Sequence, residues 1–392
     1  MFEQIAAVTS MNLRNVPQRA GISSVIVIGI AVTVAVLVSV LAMQAGFRKT
    51  LANTGRPDRA IVLRGGSDAE LSSTISRDNA LTILDAPGIR KDADGKPIAS
   101  ADAVVIVNRP LRSTGTDANV VLRGVSAKVF ALRPEIHIVA GRTFRPGLHE
   151  MIVGKSAVAQ FKGLDLGSRM AFRDSDWTVV GVYESNGDAH ESEMMADAET
   201  VLSAYRRNLF QSVTVMLDSP AAFDKFKASL TTNPTLSVDV KREPDYYAAQ
   251  SKQLTKLLNF LAVVVGGIMA LGAVFGTLNT MYSAVSTRGL EIATLRAIGF
   301  SAAPVVISVL AEALMLALVG GAIGAALAWL FFNGNTVNTL GANFSQVVFH
   351  LTVSGALLAQ GVVWACVIGV IGGLFPALRA ARLPVADALR AG

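Results

Sequence analysis

Three stretches of the chain carry no Asp, Glu, Lys or Arg: residues 20–47, 257–287 and 313–378. A helix of 28 residues, the length of the first stretch, is about 42 Å long and exceeds a hydrocarbon core of about 30 Å. It is also too long for the apolar core of a signal peptide, which has about 7–15 residues. The third stretch is interrupted by "NGNTVNTLGANFSQ", polar and rich in Gly and Asn, which reads as a loop between two helices. The pattern therefore predicts four transmembrane α-helices, at 20–47, 257–286, 303–331 and 352–376. A short loop is expected at 332–351 and a tail at 377–392.

Between the first two helices the periodicity changes. "AIVLR" (60–64), "AVVIVN" (103–108), "NVVLRGV" (119–125), "WTVVGVY" (177–183) and "SVTVML" (212–217) are short β-branched runs that read as strands. "PAAFDKFKASL" places Phe223, Phe226 and Leu230 on one helical face before "LSVDV" (236–240), which reads as a βαβ unit. Residues 48–256 are thus expected to form a large α+β domain inserted between helices 1 and 2. "MQAGFRKTLANT" prolongs the first span, and "DYYAAQSKQLTKLLNF" runs into the second without a breaker. Together they predict a two-helix stalk. Ahead of the first span, Phe2, Ile5, Thr9 and Leu13 recur at near-helical spacing, so residues 1–19 are expected to form a helix on the inner membrane surface.

Charge places these parts. The chain is 52% apolar and 16% charged, and 53 of its 64 charged residues lie between Arg48 and Lys256. That window holds 28 basic and 25 acidic residues. The pI near 9.5 therefore reflects no basic stripe, and a nucleic-acid partner is excluded on these grounds. The 332–351 loop has no Lys or Arg, the 286–302 loop has two, and the tail has three. By the positive-inside rule both termini and the 286–302 loop are expected in the cytoplasm of a cell with an inner membrane, with the large domain outside. Cys366 stands alone in an apolar run, so no internal disulfide forms.

Signals for catalysis are weak. "VGKSA" (153–157) lacks the glycine that a phosphate loop needs five residues before Gly154, where His149 stands, and reads as a strand-to-helix turn. The four histidines show no metal-ligand spacing, and "HESEM" at His190 reads as a solvated loop. The chain is expected to be non-catalytic, with no metal and no cofactor of its own. Glu312 is the one acid inside a span. It reads either as a packing hydrogen bond or as a coupling or proton-handling group. Gly272/Gly276, Gly320/Gly324 and Gly369/Gly373 are small-xxx-small pairs, expected to serve helix packing within the chain.

The remaining charged cluster lies between two spans. Residues 287–299 are expected to form a short helix with Arg288, Glu291, Ile292 and Leu295 on one face and Gly299 at its end, Ser301 capping the next helix. Such a face suits docking into a groove of a cytoplasmic protein. "NTMYSAVSTRGLEIATLRAIGFS" resembles the signature of the MacB/FtsX-like permease family, the mechanotransmission subunits of ABC transporters. "GRTFRPGLHEMIVGKSAVAQFKGLDLGSRMAF", "WTVVGVYE" and "FPALRAARLPVADALR" are similar to further parts of it.

The resemblance implies a coupling helix that meets an ATPase through Arg288, Glu291, Ile292, Leu295, Arg296, Ala297 and Gly299. It also implies a homodimer, an extracytoplasmic adaptor as a further partner, and ATP and Mg bound by the ATPase. Only residues 1–19 precede the first span, so the ATPase is expected on a separate chain. The tail lacks the residue usual in the family between Leu383 and Pro384. The alternative is a membrane-anchored signalling or scaffold module that regulates an extracytoplasmic partner, such as a cell-wall hydrolase, without transport.

Overall fold

A computed structural model describes residues 9–10, 20–172, 175–340 and 346–382. The expected helix over 1–19, apart from its Thr9–Ser10 step, and the tail beyond Arg382 lie outside them. The chain divides into two compact units. A sheet unit comprises residues 46–255 and 336–350. A helical unit comprises the residues before it, 256–335, and those from Leu351 onward.

Helix α1 spans Ala20–Asn53, and its last turns belong to the sheet unit. There follow β1 (Arg59–Arg64), α2 (Arg77–Leu84), β2 (Ala99–Pro110), β3 (Asp117–Val125), α3 (Val129–Leu132), β4 (His137–Gly141) and β5 (Glu150–Gly154). Next come α4 (Lys155–Gln160), β6 (Arg169–Phe172), β7 (Ser175–Glu184), β8 (Met194–Asp197), α5 (Ala198–Ala204), β9 (Ser212–Met216), α6 (Phe223–Thr231) and β10 (Val238–Arg242). The strands make one mixed sheet in the order β10-β1-β9-β2-β3-β8-β5-β7-β4, with β6 beside β7. Among the described residues only β3/β8 and β5/β7 are parallel pairs.

Sequence explains much of this unit. Trp177, Val179 and Tyr183 of β7 are buried in alternation with half-buried neighbours, as a period of two requires. Phe223, Phe226 and Leu230 turn one face of α6 into the core cluster that also holds Val62, Leu122, Val153 and Trp177. Asp197 caps α5 by accepting from the Thr200 amide. Gly124 lets α5 approach β3, since a Cβ there would lie 2.8 Å from Ala198 Cα.

The structure adds to two expectations. β9 and β10 flank α6 but do not pair; β1 lies between them, antiparallel to both. The crossover therefore steps over one strand. The 332–351 loop contains an antiparallel hairpin, β11 (Thr336–Leu340) with β12 (Gln346–His350). Its Gly and Asn content hid an alternating "QVVFH", in which Val347 and Phe349 are buried. Within the sheet unit the Val348 amide donates to Ser192 Oγ at 3.0 Å, and Phe349 meets Phe47 edge-on at 5.5 Å.

The helical unit is built from α1, α7 (Glu243–Thr287), α8 (Gly289–Ala297), α9 (Ala302–Phe332) and α10 (Gly355–Ala381). The first turns of α7 belong to the sheet unit. The four long helices, α1, α7, α9 and α10, are apolar enough to cross a membrane. Small residues set their spacing. A Cβ on Gly320 or Gly324 of α9 would collide with the α1 backbone at Val27 or Ala31. Gly369 and Gly373 of α10 press in the same way on Ala317 and Ala313 of α9. Gly272 and Gly276 differ, because nothing lies within 4 Å of a Cβ built there.

Candidate functional site

Helix α7 ends at Thr287, and Arg288 makes the joint with a non-helical backbone (φ −101°, ψ 9°). The short helix α8 then runs to Ala297, and Gly299 ends the turn at φ +100°, a conformation that favours glycine. Ser301 occupies the N-cap position of α9 without making a side-chain capping bond. Arg288, Glu291, Ile292 and Leu295 do share a face, and with Glu312 they line one cavity of about 20 Å³. That face points into the bundle. Arg288 donates from Nη1 and Nη2 to Glu312 Oε2 and Oε1 at 2.6 and 3.1 Å, and both residues are 4% exposed.

The expected docking face is therefore corrected for Arg288 and Ile292, which are buried. Pairing offsets the cost of burying either charge alone. Arg296, half-buried, donates to the Ala381 carbonyl at 2.8 Å. The outward face of α8 carries Leu290 (50% exposed), Thr294, Ala297 and Ile298 (69% exposed), with Glu291 exposed at its edge. Helical-wheel spacing found the two faces; it could not say which one faces out.

A second charged cluster lies buried in the sheet unit. Arg59 Nε pairs with Glu243 Oε2 at 2.6 Å, its Nη1 with Glu135 at 2.6 Å, and Arg133 with Glu243 Oε1 at 2.7 Å. Arg123 forks to Glu70 (2.7 and 2.9 Å) and to Glu193 (2.7 and 3.0 Å), with Asp102 at 3.3 Å. His190 is fully buried, with Nδ1 3.1 Å from Glu193 and Nε2 3.1 Å from the Tyr247 hydroxyl. The expectation of a solvated loop at His190 is thus overturned: these two partners satisfy both ring nitrogens. Burial pushes the Glu193 carboxyl up, but Arg123 and His190 outweigh it and hold it below the usual range. Burial raises Asp188 to about 6 against His190 and Ser185.

The cluster ties the first residue of α7 to the chain just beyond α1. Glu243 is the first residue of α7, where a negative charge suits the helix dipole. Its carboxylate also accepts from the Arg56 amide at 3.1 Å, just beyond the end of α1. The sequence held one signal for it, Arg123 inside the β-branched run 119–125.

The "VGKSA" step is the end of β5 and the start of α4. Gly154 serves a close approach there, because a Cβ would strike the Glu191 carbonyl. Lys155 pairs with Glu184. Among the described residues no group of three or more His, Cys, Asp or Glu could hold a metal ion.

The family model described as MacB-like periplasmic core domain matches residues 23–233, and that described as FtsX-like permease C-terminal matches residues 263–385. The macrolide export ATP-binding/permease protein MacB of Pasteurella multocida is 27% identical over 323 aligned positions, covering 74% of this chain and 46% of that protein. The MacB of Neisseria gonorrhoeae is 25% identical over 418 positions, covering 99% and 61%. The chain spans about half the length of the curated relatives it matches.

Among solved structures, the extracellular domain of the noncanonic ABC-type transporter YknZ from Gram-positive bacteria aligns with a TM-score of 0.36 at 18% identity. It covers 47% of this chain and 99% of that one. The periplasmic region of MacB from Actinobacillus actinomycetemcomitans aligns with a TM-score of 0.36 at 14% identity, covering 53% and 94%. With both family models matched in order along four apolar helices, this is a membrane protein with an extracytoplasmic α+β domain between its first two spans, and it belongs to the MacB/FtsX-like permeases of ABC transporters.

Proposed function

We propose that this chain couples ATP hydrolysis by an ABC ATPase to movement of its extracytoplasmic domain, in export or efflux. It works as a homodimer, with its termini and α8 on the cytoplasmic side. The observation that carries the reading is the outward face of α8. Leu290 and Ile298 stand exposed two turns apart on a helix whose other face is locked by Arg288 and Ile292. An apolar stripe at this spacing on a rigidly held helix suits a groove on a partner protein. Glu291, at the edge, supplies a rim charge that steers the encounter. A push on α8 passes into α7, which runs for 45 residues. Its far end is fastened at Glu243.

The test is the amount of ATPase that copurifies with the permease from native membranes. Leu290→Asp/Ile298→Asp should lose the ATPase, and Glu291→Lys should weaken its retention. Asp117→Lys, at an exposed strand end, should change nothing. All three variants should insert and fold, because the altered side chains are exposed. Full retention and unchanged ATP turnover in the double variant would sink the docking assignment.

A further inference from the structure

We propose that Arg288 and Glu312 are positioning residues that deliver the displacement of α8 to α9, and through α9 and α10 to the β11–β12 hairpin. This is a route separate from α7, and it rests on the coupling role given to α8 above.

Four observations support it. The α7–α8 joint is a single non-helical residue, Arg288, yet the side chain of that residue is committed to α9 by two hydrogen bonds. The other end of α8 is tied to the last residue of α10, through Arg296 and the Ala381 carbonyl. Helices α9 and α10 interlock where Gly369 and Gly373 leave no room for a Cβ against Ala317 and Ala313. These are also the two helices that the hairpin connects. Their ends are joined by bonds from the Gly334 amide to the Leu351 carbonyl (3.0 Å) and from the Leu351 amide to the Asn335 carbonyl (2.9 Å). In the sheet unit the hairpin is held by Ser192 and Phe47. A force on α8 thus has a continuous bonded path that does not use α7.

The experiment is hydrogen exchange of the permease–ATPase complex in lipid nanodiscs, with and without ATP and vanadate. It follows residues 346–353 and residues 243–255 separately. Wild type should respond to nucleotide in both segments. Glu312→Gln should keep its ATPase and the response at 243–255 but lose the response at 346–353. Arg288→Glu/Glu312→Arg, which rebuilds the pair with its charges exchanged, should restore it. A pair that merely neutralises charge in the helical unit would not separate the two segments.

Survival of the 346–353 response in Glu312→Gln overturns the proposal. So does a wild type that responds only at 243–255. Where Glu312→Gln fails to fold, the exchanged pair decides: a complex that responds at 243–255 alone overturns the proposal, and recovery of both responses supports it. Failure of the coupling reading itself shows separately, as ATPase retained by Leu290→Asp/Ile298→Asp and as no nucleotide response in either segment of wild type.

Discussion

Asp188 sits where burial and hydrogen bonding pull in opposite directions. It caps the turn at Ala189–Ser192 by accepting from the Glu191 amide, and Ser185 Oγ donates to it at 2.8 Å. Its 2% exposure nevertheless raises its carboxyl to about 6. An acid raised in this way binds its proton more tightly in the folded state. Its contribution is complete below the unfolded value near 3.8 and is lost as pH rises through about 6. Glu193 and Glu243, held low by arginines, behave oppositely and favour the fold above the ordinary glutamate range. Replacing Asp188 by Asn keeps an acceptor and removes the titration. At pH 7.5 Asp188→Asn should be more stable than wild type by up to about 3 kcal/mol, and the gap should close toward pH 4. Exchange protection of amides 185–197 across that range measures the gap, and a difference that ignores pH would refute it.

At the scale of elements, the long apolar helices and the β-branched strands β1, β2, β3, β7 and β9 were legible, because their patterns are local. β4, β6, β8 and the hairpin were not. They are short, four or five residues each, and β4 and β8 pair with strands distant in sequence. The Arg288–Glu312 pair was equally hidden, since 24 residues separate its members and their meeting depends on how α9 packs. Glycine pairs show the same limit: three looked alike in sequence, but only two meet another helix. Gly324→Leu should force α9 away from the Ala31 backbone and cost about 1–3 kcal/mol. Gly276→Leu, with open space at that position, should leave the chain's own stability unchanged. Thermal unfolding of the two variants in detergent compares them directly, and equal losses would contradict the assigned packing.

For the whole molecule, the placing of charge predicts which way the helices run across the membrane. The 332–351 segment has no Lys or Arg, whereas Arg288, Arg296, Arg379 and Arg382 lie at the opposite ends of the spans. In a Cys366→Ser background, cysteines at Asp117 and Asn338 should react with an impermeant maleimide on intact cells or spheroplasts. One at Thr287 should react only after lysis, and its labelling from outside would reverse the proposed orientation. The place where α1 ends and α7 begins bears on the molecule in another way. Gly55, at φ +115°, lies so close to Glu243 that a Cβ would come within 3.1 Å of the Glu243 carbonyl carbon. The 187 residues between those two positions therefore leave and return through one narrow doorway. An insert whose ends already touch can be lengthened, trimmed or exchanged for another without changing the gap between the helices that carry it. Variation within the inserted domain therefore need not disturb the helices that carry it.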